Sequence, residues 1–201
     1  MEPACAYTSV TMTNAIEPAT ATAPAAVSTW RTRFAALRQR RIVGWAIELA
    51  VVAVVILGVS AYQARHLPEG PAPALDVATL DGGAFSIDSL RGTPTMVVFW
   101  APWCGVCGAE ADNLARAQQW VGARARVVTV AVEYDRVDDV RAFVVKHGVT
   151  VPVGLGGTDA ARRWGVGAFP TAFVVDETGV IVSRMVGYTS TAGMVARLLA
   201  H

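Results

Sequence analysis

The sequence predicts an α/β domain over residues 74–201, preceded by one transmembrane helix over residues 42–62. Three observations predict this organisation. The apolar run 95–100 leads directly into a Cys-x-x-Cys motif, as at the end of a buried strand. Further apolar runs alternate with segments of helical length along the domain. The stretch 42–62 contains one charged residue, Glu48, and is therefore apolar enough to cross a bilayer.

The elements of the domain follow from apolar runs and from capping and turn residues. Residues 95–100 are continuously apolar, which is typical of a central strand covered on both faces. Asp135 is expected to cap a helix that stops at Gly148. The turn residues 177–179 predict a hairpin. The predicted strands are 75–80, 84–87, 95–100, 126–132, 171–176 and 180–186; the predicted helices are 104–121, 135–147, 158–164 and a last helix, capped by Thr189 or Ser190, that ends at Leu199.

The composition points to a membrane. The 201 residues are 53% hydrophobic with a mean hydropathy of +0.41, which is high for a soluble domain, and the net charge of +1 argues against a nucleic-acid partner. At about 1.5 Å per residue, the 21 residues 42–62 match a hydrocarbon core of about 30 Å. A cleaved signal peptide, with a site after Val59-Ser60-Ala61, and a buried core helix are the alternatives.

Charge and proline content divide the rest of the N-terminal region. Residues 1–41 are predicted to be a disordered tail with a basic end. The positive-inside rule places this tail in the cytoplasm and the domain outside. Residues 63–73 are predicted to be a semi-rigid linker because they contain three prolines. The arginines just before the apolar stretch, with no acid among them, are Arg31, Arg33, Arg38, Arg40 and Arg41.

The motif Trp103-Cys104-Gly105-Val106-Cys107 predicts a redox-active dithiol. Two cysteines in the first turn of a helix lie about 5 to 6 Å apart at their Cα atoms, which suits a disulfide. A thiolate there also faces the positive end of the helix dipole. A zinc site needs four ligands. Zinc is disfavoured because Cys5 is distant in sequence and His66, His147 and His201 are isolated, so no metal site is predicted.

At these motifs the chain resembles a known family. The segment FWAPWCGVC and the later Phe169-Pro170-Thr171 are similar to the thioredoxin fold, a central mixed sheet flanked by helices. Within this fold the chain resembles the membrane-tethered TlpA/ResA/DsbE-like branch, and most closely the suppressor-of-copper-sensitivity protein D type. The segments that carry the narrower resemblance are 70–75, 164–166, 186–189 and 197–200. Peroxiredoxins are disfavoured because Ala101 replaces the threonine or serine that they carry three residues before the reactive cysteine.

The resemblance implies roles for five residues. Cys104 would be the exposed attacking cysteine and Cys107 the buried resolving one. Pro170 would form a cis peptide bond facing the disulfide, and the backbone of Phe169 would offer hydrogen bonds to a substrate chain. Trp103 would be an apolar platform beside the attacking sulfur. The alternatives are an ordinary trans-proline and a tryptophan that only packs against its loop.

Glu110 is the further candidate catalytic residue. It follows Cys107 by three residues on one helix face. The resembling branch has a glutamate there, whereas thioredoxin has a buried aspartate at the position that Val98 occupies. The alternative is an acid favoured only by the helix dipole. The chain departs from the branch at Gly108, where a basic residue is usual, and at Asp112, where a helix-kinking proline is usual.

These observations predict a membrane-anchored thiol–disulfide oxidoreductase on the outer side of a bacterial cytoplasmic membrane. Its expected partners are protein disulfide substrates and a membrane electron-transfer partner, and no cofactor is expected. Reduction of periplasmic protein disulfides is the expected direction, because the resembling tethered proteins are mostly reductants. The alternatives are a disulfide oxidase and a Cu(I)-binding thiolate module linked to copper tolerance.

Overall fold

The computed structural model describes residues 28–200, with side chains from residue 43 onward except at position 57. Most of the predicted N-terminal tail, with Cys5, lies outside the described residues, as does His201. The helices are α1 Ser28–Ala64, α2 Gly105–Val121, α3 Val137–His147, α4 Gly157–Arg163 and α5 Thr191–Leu199. The strands are β1 Gly70–Pro71, β2 Asp76–Thr79, β3 Ala84–Ser86, β4 Thr95–Trp100, β5 Arg126–Ala131, β6 Val153–Leu155, β7 Thr171–Val175 and β8 Val180–Val186; short 3₁₀ turns span Asp88–Leu90 and Gly122–Arg124.

The strands of the described region form one mixed sheet in the order β1-β8-β7-β4-β5-β6-β2-β3. The centre is parallel, since β5 runs parallel to β4 and to β6. The hairpin β7–β8 lies antiparallel to β4 on the other side. The predicted thioredoxin-like α/β fold is thereby confirmed, and β4 is central and buried along its whole length, as its apolar sequence predicts.

The side chains of β4 alternate between two cores, as the pleat of a strand requires. Val97 and Phe99 belong to a core with Trp164, whereas Met96 and Val98 belong to a core on the other face. This second core contains Leu114, Ala117 and Val121 of α2 and Met194 and Leu198 of α5. The helix that carries the second cysteine is therefore packed directly on the central strand.

In and next to the domain, the structure differs from the sequence prediction at three places, and it decides between the two caps considered for α5. Strand β6 was not predicted; it is three residues long and pairs with β5 and β2. Asp135 does not cap α3, whose N-cap is Arg136 without a side-chain hydrogen bond. Residues of the predicted linker join the domain, since Leu67 is buried in the core and β1 pairs with β8. Of the two caps considered for α5, Ser190 is the one used, accepting a hydrogen bond from the N–H of Gly193.

The C-terminal part of α1 contains the predicted membrane segment. Val43–Ala64 is a continuous helical stretch of 22 residues, in which an 18-residue window has a mean hydropathy of 2.3. Its large apolar side chains are exposed; among them are Trp45, Ile47, Leu49, Val54 and Ile56. By length and composition it can cross a bilayer, and its bounds overlap the predicted 42–62.

Candidate active site

The dithiol lies where the central strand passes into α2. Cys104 follows β4 by four residues and is the N-cap of α2, while Cys107 lies in the first turn. The two residues form a disulfide with a Cα–Cα distance of 5.3 Å. The backbone N–H of Cys107 donates to the sulfur of Cys104 at 3.1 Å. The sulfur of Cys104 therefore occupies the position where a helix N-terminus best stabilises negative charge.

Exposure does not distinguish the two cysteines in this oxidised state. Cys104 is 7% exposed and Cys107 is 5% exposed, so the exposed attacking cysteine implied by the family resemblance is not seen in the disulfide form. Their positions on the helix do differ. Only Cys104 receives the hydrogen bond of a helix N–H, because a capping side chain accepts from the residues that follow it.

Trp103 and Phe169 form an aromatic wall beside the disulfide. Their rings meet edge to face with centroids 5.5 Å apart. Trp103 is 66% exposed, yet its indole N–H donates to the carbonyl of Glu133 at 3.2 Å. Glu133 has a φ of 49°, an unusual backbone conformation for a residue with a side chain. The indole is thus held on two sides while one face stays open to solvent.

The Phe169–Pro170 peptide bond is cis. Pro170 is buried, and its carbonyl accepts a hydrogen bond from the N–H of Gly187. Within the described residues, the backbone N–H and carbonyl of Phe169 take no part in a backbone hydrogen bond. A backbone donor and acceptor therefore remain next to the aromatic wall, available to an extended chain.

Glu110 is buried behind the dithiol, one turn beyond Cys107. The residue is 2% exposed, and its Oε1 accepts a hydrogen bond of 2.7 Å from the N–H of Thr189. Burial of the carboxyl raises the pKa of Glu110 from 4.5 to about 7, with the Thr189 N–H acting in the opposite direction. Desolvation is the larger effect, so this acid can exchange a proton near neutral pH.

A cavity of about 10 Å³ lies between Cys107 and Glu110. It is lined also by Val98, Thr129 and Phe143. A water molecule needs about 10 to 15 Å³ of this kind of volume, so the space is close to that of one water. The acid and the second cysteine thus share a small, enclosed environment. Val98 supplies an apolar wall there, in agreement with its apolar place on β4.

Sequence reasoning missed two features of this region. A cavity of about 380 Å³ opens beside Trp103, between the loop after β5 and α3. His147, at the end of α3, lines it and lies directly over Gly108. An isolated histidine carries no pattern, and the two positions are brought together only by the packing of α3 on α2. The glycine directly after Cys107 was the one available signal.

A match to a protein family decides the classification. The model of the AhpC/TSA family matches residues 68–184, which is more than half of the chain. The chain belongs to this family. The matched residues include both cysteines, Glu110 and the cis-proline. The dithiol, the aromatic wall and the buried acid therefore all lie within the region that matches the family.

The names of individual relatives indicate thiol–disulfide exchange as their reaction. The thioredoxin-like protein YneN of Bacillus subtilis is 28% identical over 129 residues, covering 63% of this chain and 76% of the relative. The thiol-disulfide oxidoreductase ResA of Bacillus anthracis is 29% identical over 118 residues, covering 58% and 68%. A solved thiol:disulfide interchange protein from Chlorobium tepidum is 28% identical with a TM-score of 0.58, covering 66% of this chain and 97% of that one.

The predicted enzyme class, thiol–disulfide oxidoreductase, is confirmed by the relatives that are thiol-disulfide oxidoreductases or interchange proteins. The resemblance to the ResA and DsbE group is likewise confirmed. The suppressor-of-copper-sensitivity protein D type stays a prediction, as do the individual roles of the site residues.

Proposed function

We propose that this chain is a membrane-anchored enzyme that reduces protein disulfides outside the cytoplasmic membrane. The observation that carries the proposal is the Cys104–Cys107 disulfide at the N-terminus of α2. A helix N-terminus lowers the pKa of a thiol and makes its thiolate available for exchange. The apolar segment Val43–Ala64 supports attachment to a membrane by length and composition.

The proposed reaction is two successive thiol–disulfide exchanges. In the reduced enzyme, the thiolate of Cys104 attacks one sulfur of a substrate disulfide, forms a mixed disulfide and releases the other substrate sulfur as a thiolate. The thiolate of Cys107 then attacks the sulfur of Cys104. The Cys104–Cys107 disulfide forms, and the second substrate thiolate leaves. Two electrons pass from the enzyme to the substrate, and each released thiolate takes up a proton.

Glu110 is proposed to handle the proton of Cys107. Cys107 must lose its proton before it can resolve the mixed disulfide, and Glu110 is the buried acid next to it. A carboxyl with a pKa of about 7 can accept this proton near neutral pH and return it when the enzyme is reduced again. The small cavity between the two side chains supports this route, because it can hold about one bridging water.

The substrate chain is proposed to lie along Phe169 and Pro170. The free backbone groups of Phe169 would pair with an extended peptide, and Trp103 would cover its apolar side chains. The exposed indole supports this assignment, since an aromatic ring held rigidly in contact with solvent is suited to binding another surface.

The reduction potential tests the direction of the reaction. The full chain, in detergent, is equilibrated with glutathione or dithiol buffers, and the fraction of Cys104–Cys107 disulfide is measured. A reduction potential of about −270 mV, together with reduction of insulin disulfides, is expected for the proposed reductant. A reduction potential of about −120 mV contradicts the proposed direction and identifies a disulfide oxidase instead.

A further inference from the structure

The glycine after the second cysteine and the histidine at the end of α3 form a matched pair. A Cβ added at Gly108 would lie 2.7 Å from Nδ1 and 2.8 Å from Nε2 of His147. Real Cβ atoms essentially never make contacts shorter than 3.0 Å. The imidazole therefore occupies the space that any side chain at position 108 would need.

The imidazole packs against an aromatic ring that is itself held in the buried core. The ring of His147 lies 4.5 Å from that of Phe143, one helical turn earlier on α3. Phe143 in turn stacks on Trp100 at 4.3 Å, and both belong to the buried cluster that contains the two cysteines. The ring is half-buried, and one side faces the cavity beside Trp103.

The imidazole is close to the dithiol. Its nitrogen lies 2.7 Å from the Cβ position of Gly108, and neighbouring Cα atoms are about 3.8 Å apart. Nδ1 is therefore no farther than about 8 Å from the Cα of Cys107. That separation is about one Debye length at physiological salt, so a charge on the ring acts on the dithiol without full screening.

The charged groups around the imidazole surround it without pairing with it in the described part of the chain. Within the described residues, no hydrogen bond or ion pair joins His147 to a carboxylate. The C-terminus of α3 favours a positive charge at this position. The titratable groups around it are Glu133, Tyr134 and Asp135 of the loop after β5, Asp139 and Lys146 of α3, and Glu110 and Asp112 of α2, within one turn of Gly108.

We infer that His147 is a positioning residue for the dithiol. Its imidazolium stabilises the thiolate of reduced Cys104 across the first turn of α2. The inference rests on the proposed thiol–disulfide exchange. When the disulfide forms, two electrons leave the dithiol and the thiolate charge disappears, so the imidazolium favours the reduced form. Protonation of His147 thus makes the enzyme a weaker reductant. Histidine is the side chain that changes charge between about pH 5 and 8, so the effect follows pH.

The test is the alkylation rate of Cys104 in the reduced full chain, measured from pH 5.5 to 8.5. His147→Gln is expected to slow alkylation at pH 5.5 by about twofold, as for a unit charge about 10 Å from the Cys104 thiolate in largely aqueous surroundings. At pH 8.5 the two rates are expected to agree. Superimposable profiles across the whole range overturn the inference.

Three further variants separate charge from packing. His147→Lys keeps a cation, so the alkylation of Cys104 is expected to stay fast at both pH 5.5 and pH 8.5. Gly108→Ala keeps the histidine but displaces its ring, so the alkylation of Cys104 is expected to be slower than in the wild type at pH 5.5. Lys146→Gln removes the neighbouring cation and is expected to keep the pH dependence of the wild type. If Lys146→Gln reproduces the profile of His147→Gln, the effect is one of general charge and the inference is wrong.

Two readouts keep this test separate from the proposed function. Thermal unfolding shows whether His147→Gln is folded, and if it is not, Gly108→Ala decides the inference. Insulin reduction by the wild type tests the proposed function. An enzyme that fails to reduce insulin but shows the expected alkylation profiles contradicts the proposed function while supporting the role of His147.

Discussion

At the scale of single residues, helix position separates the two cysteines where exposure does not. Cys104 and Cys107 are both buried in the disulfide, but only the sulfur of Cys104 accepts a hydrogen bond from a helix N–H. Negative charge is stabilised at that position by the helix dipole and by the unpaired N–H groups of the first turn. Cys104 is therefore expected to have the lower thiol pKa of the two, in agreement with its proposed role as the attacking residue.

Substitution of each cysteine tests this division of roles. Cys104→Ser is expected to abolish exchange, because the attacking thiolate is lost. Cys107→Ser is expected to form mixed disulfides that persist, because nothing resolves them. The measurement is non-reducing electrophoresis after incubation with a protein disulfide, combined with alkylation rates against pH. Faster alkylation of Cys107 than of Cys104 in the reduced wild type would reverse the assignment.

Replacement of Glu110 tests its proposed role in proton transfer. Above pH 7 the wild-type carboxylate can accept the proton of Cys107, whereas Glu110→Gln cannot. Resolution of the mixed disulfide is expected to slow by about a hundredfold at pH 8, the lower end of the usual general-base effect. At pH 5 the rates are expected to converge, because the wild-type acid is then protonated. Identical pH–rate profiles would mean that Glu110 only complements the helix dipole.

The same substitution is expected to change stability with a definite sign. The folded oxidised protein keeps the proton of Glu110 up to about pH 7, while the unfolded chain releases it near 4.5. The folded state thus binds more protons between these values, and the free energy of unfolding falls as pH rises through this window. The free energy of unfolding is expected to fall by about 3 kcal/mol across this window. Glu110→Gln has no carboxyl to titrate, so its free energy of unfolding is expected to rise relative to that of the wild type from pH 4.5 to 7.5.

Urea unfolding of the oxidised proteins at several pH values measures this difference. Glu177→Gln, at an exposed carboxyl in the β7–β8 turn, is the matched control. A difference between Glu110→Gln and the wild type that stays constant with pH would show that folding does not raise the pKa of Glu110.

At the scale of elements, the buried acid depends on how α5 is attached to α2. Asn113, one turn beyond Glu110, donates to the hydroxyl of Tyr188 at 2.9 Å and to the carbonyl of Thr189 at 3.0 Å. It also accepts from the hydroxyl of Thr191 at 3.2 Å. These bonds hold the segment whose N–H donates to Glu110.

Asn113→Ala is expected to destabilise the protein by about 1 to 3 kcal/mol, because it removes three part-buried hydrogen bonds. Asn113 is 9% exposed, so water replaces these bonds poorly. Gln119→Ala, at an exposed position of the same helix, is the control and is expected to stay within about 0.5 kcal/mol of the wild type. Equal effects in urea unfolding would mean that apolar packing of Met194 and Leu198 alone holds α5.

The elements that could be predicted from sequence are those with a strong local signal. Strand β4 and helix α2 follow from a continuous apolar run and a Cys-x-x-Cys motif, and Gly148 ends α3 in a left-handed conformation, as predicted. Strands β1 and β6 have only two and three residues, and pairing with neighbouring strands defines them. No local pattern reveals such strands.

The candidate site likewise contains residues that the sequence predicts and contacts that it does not predict. Motif spacing identified Cys104, Cys107 and Glu110, because residues within one helical turn must lie together. The contacts of Glu110 with Thr189 and of Gly108 with His147 join residues that are 79 and 39 positions apart in the sequence. Only the packing of α5 and α3 against α2 creates them, so a single sequence cannot predict them.

At the scale of the whole molecule, function depends on which side of the membrane the dithiol faces. The apolar segment Val43–Ala64 follows five arginines between residues 31 and 41, with no acid among them. After it, the flank contains Arg65 and then Glu69. This charge bias supports the proposed orientation, with the N-terminus in the cytoplasm and the dithiol outside, under the positive-inside rule. Disulfides persist in that compartment, whereas cytoplasmic thiols are kept reduced, so a disulfide reductase has its substrates there.

Reporter fusions after His201 test this orientation. Alkaline phosphatase, which is active only outside the cytoplasm, is expected to be active there, and a cytoplasmic reporter at the same site is expected to be silent. Replacing the five arginines by glutamine is the matched control and is expected to weaken this preference, because the charge bias that orients the segment is removed. A silent phosphatase with an active cytoplasmic reporter would place the dithiol in a reducing compartment. The proposed reduction of extracytoplasmic proteins would then be excluded, while the exchange chemistry of Cys104 and Cys107 would still stand.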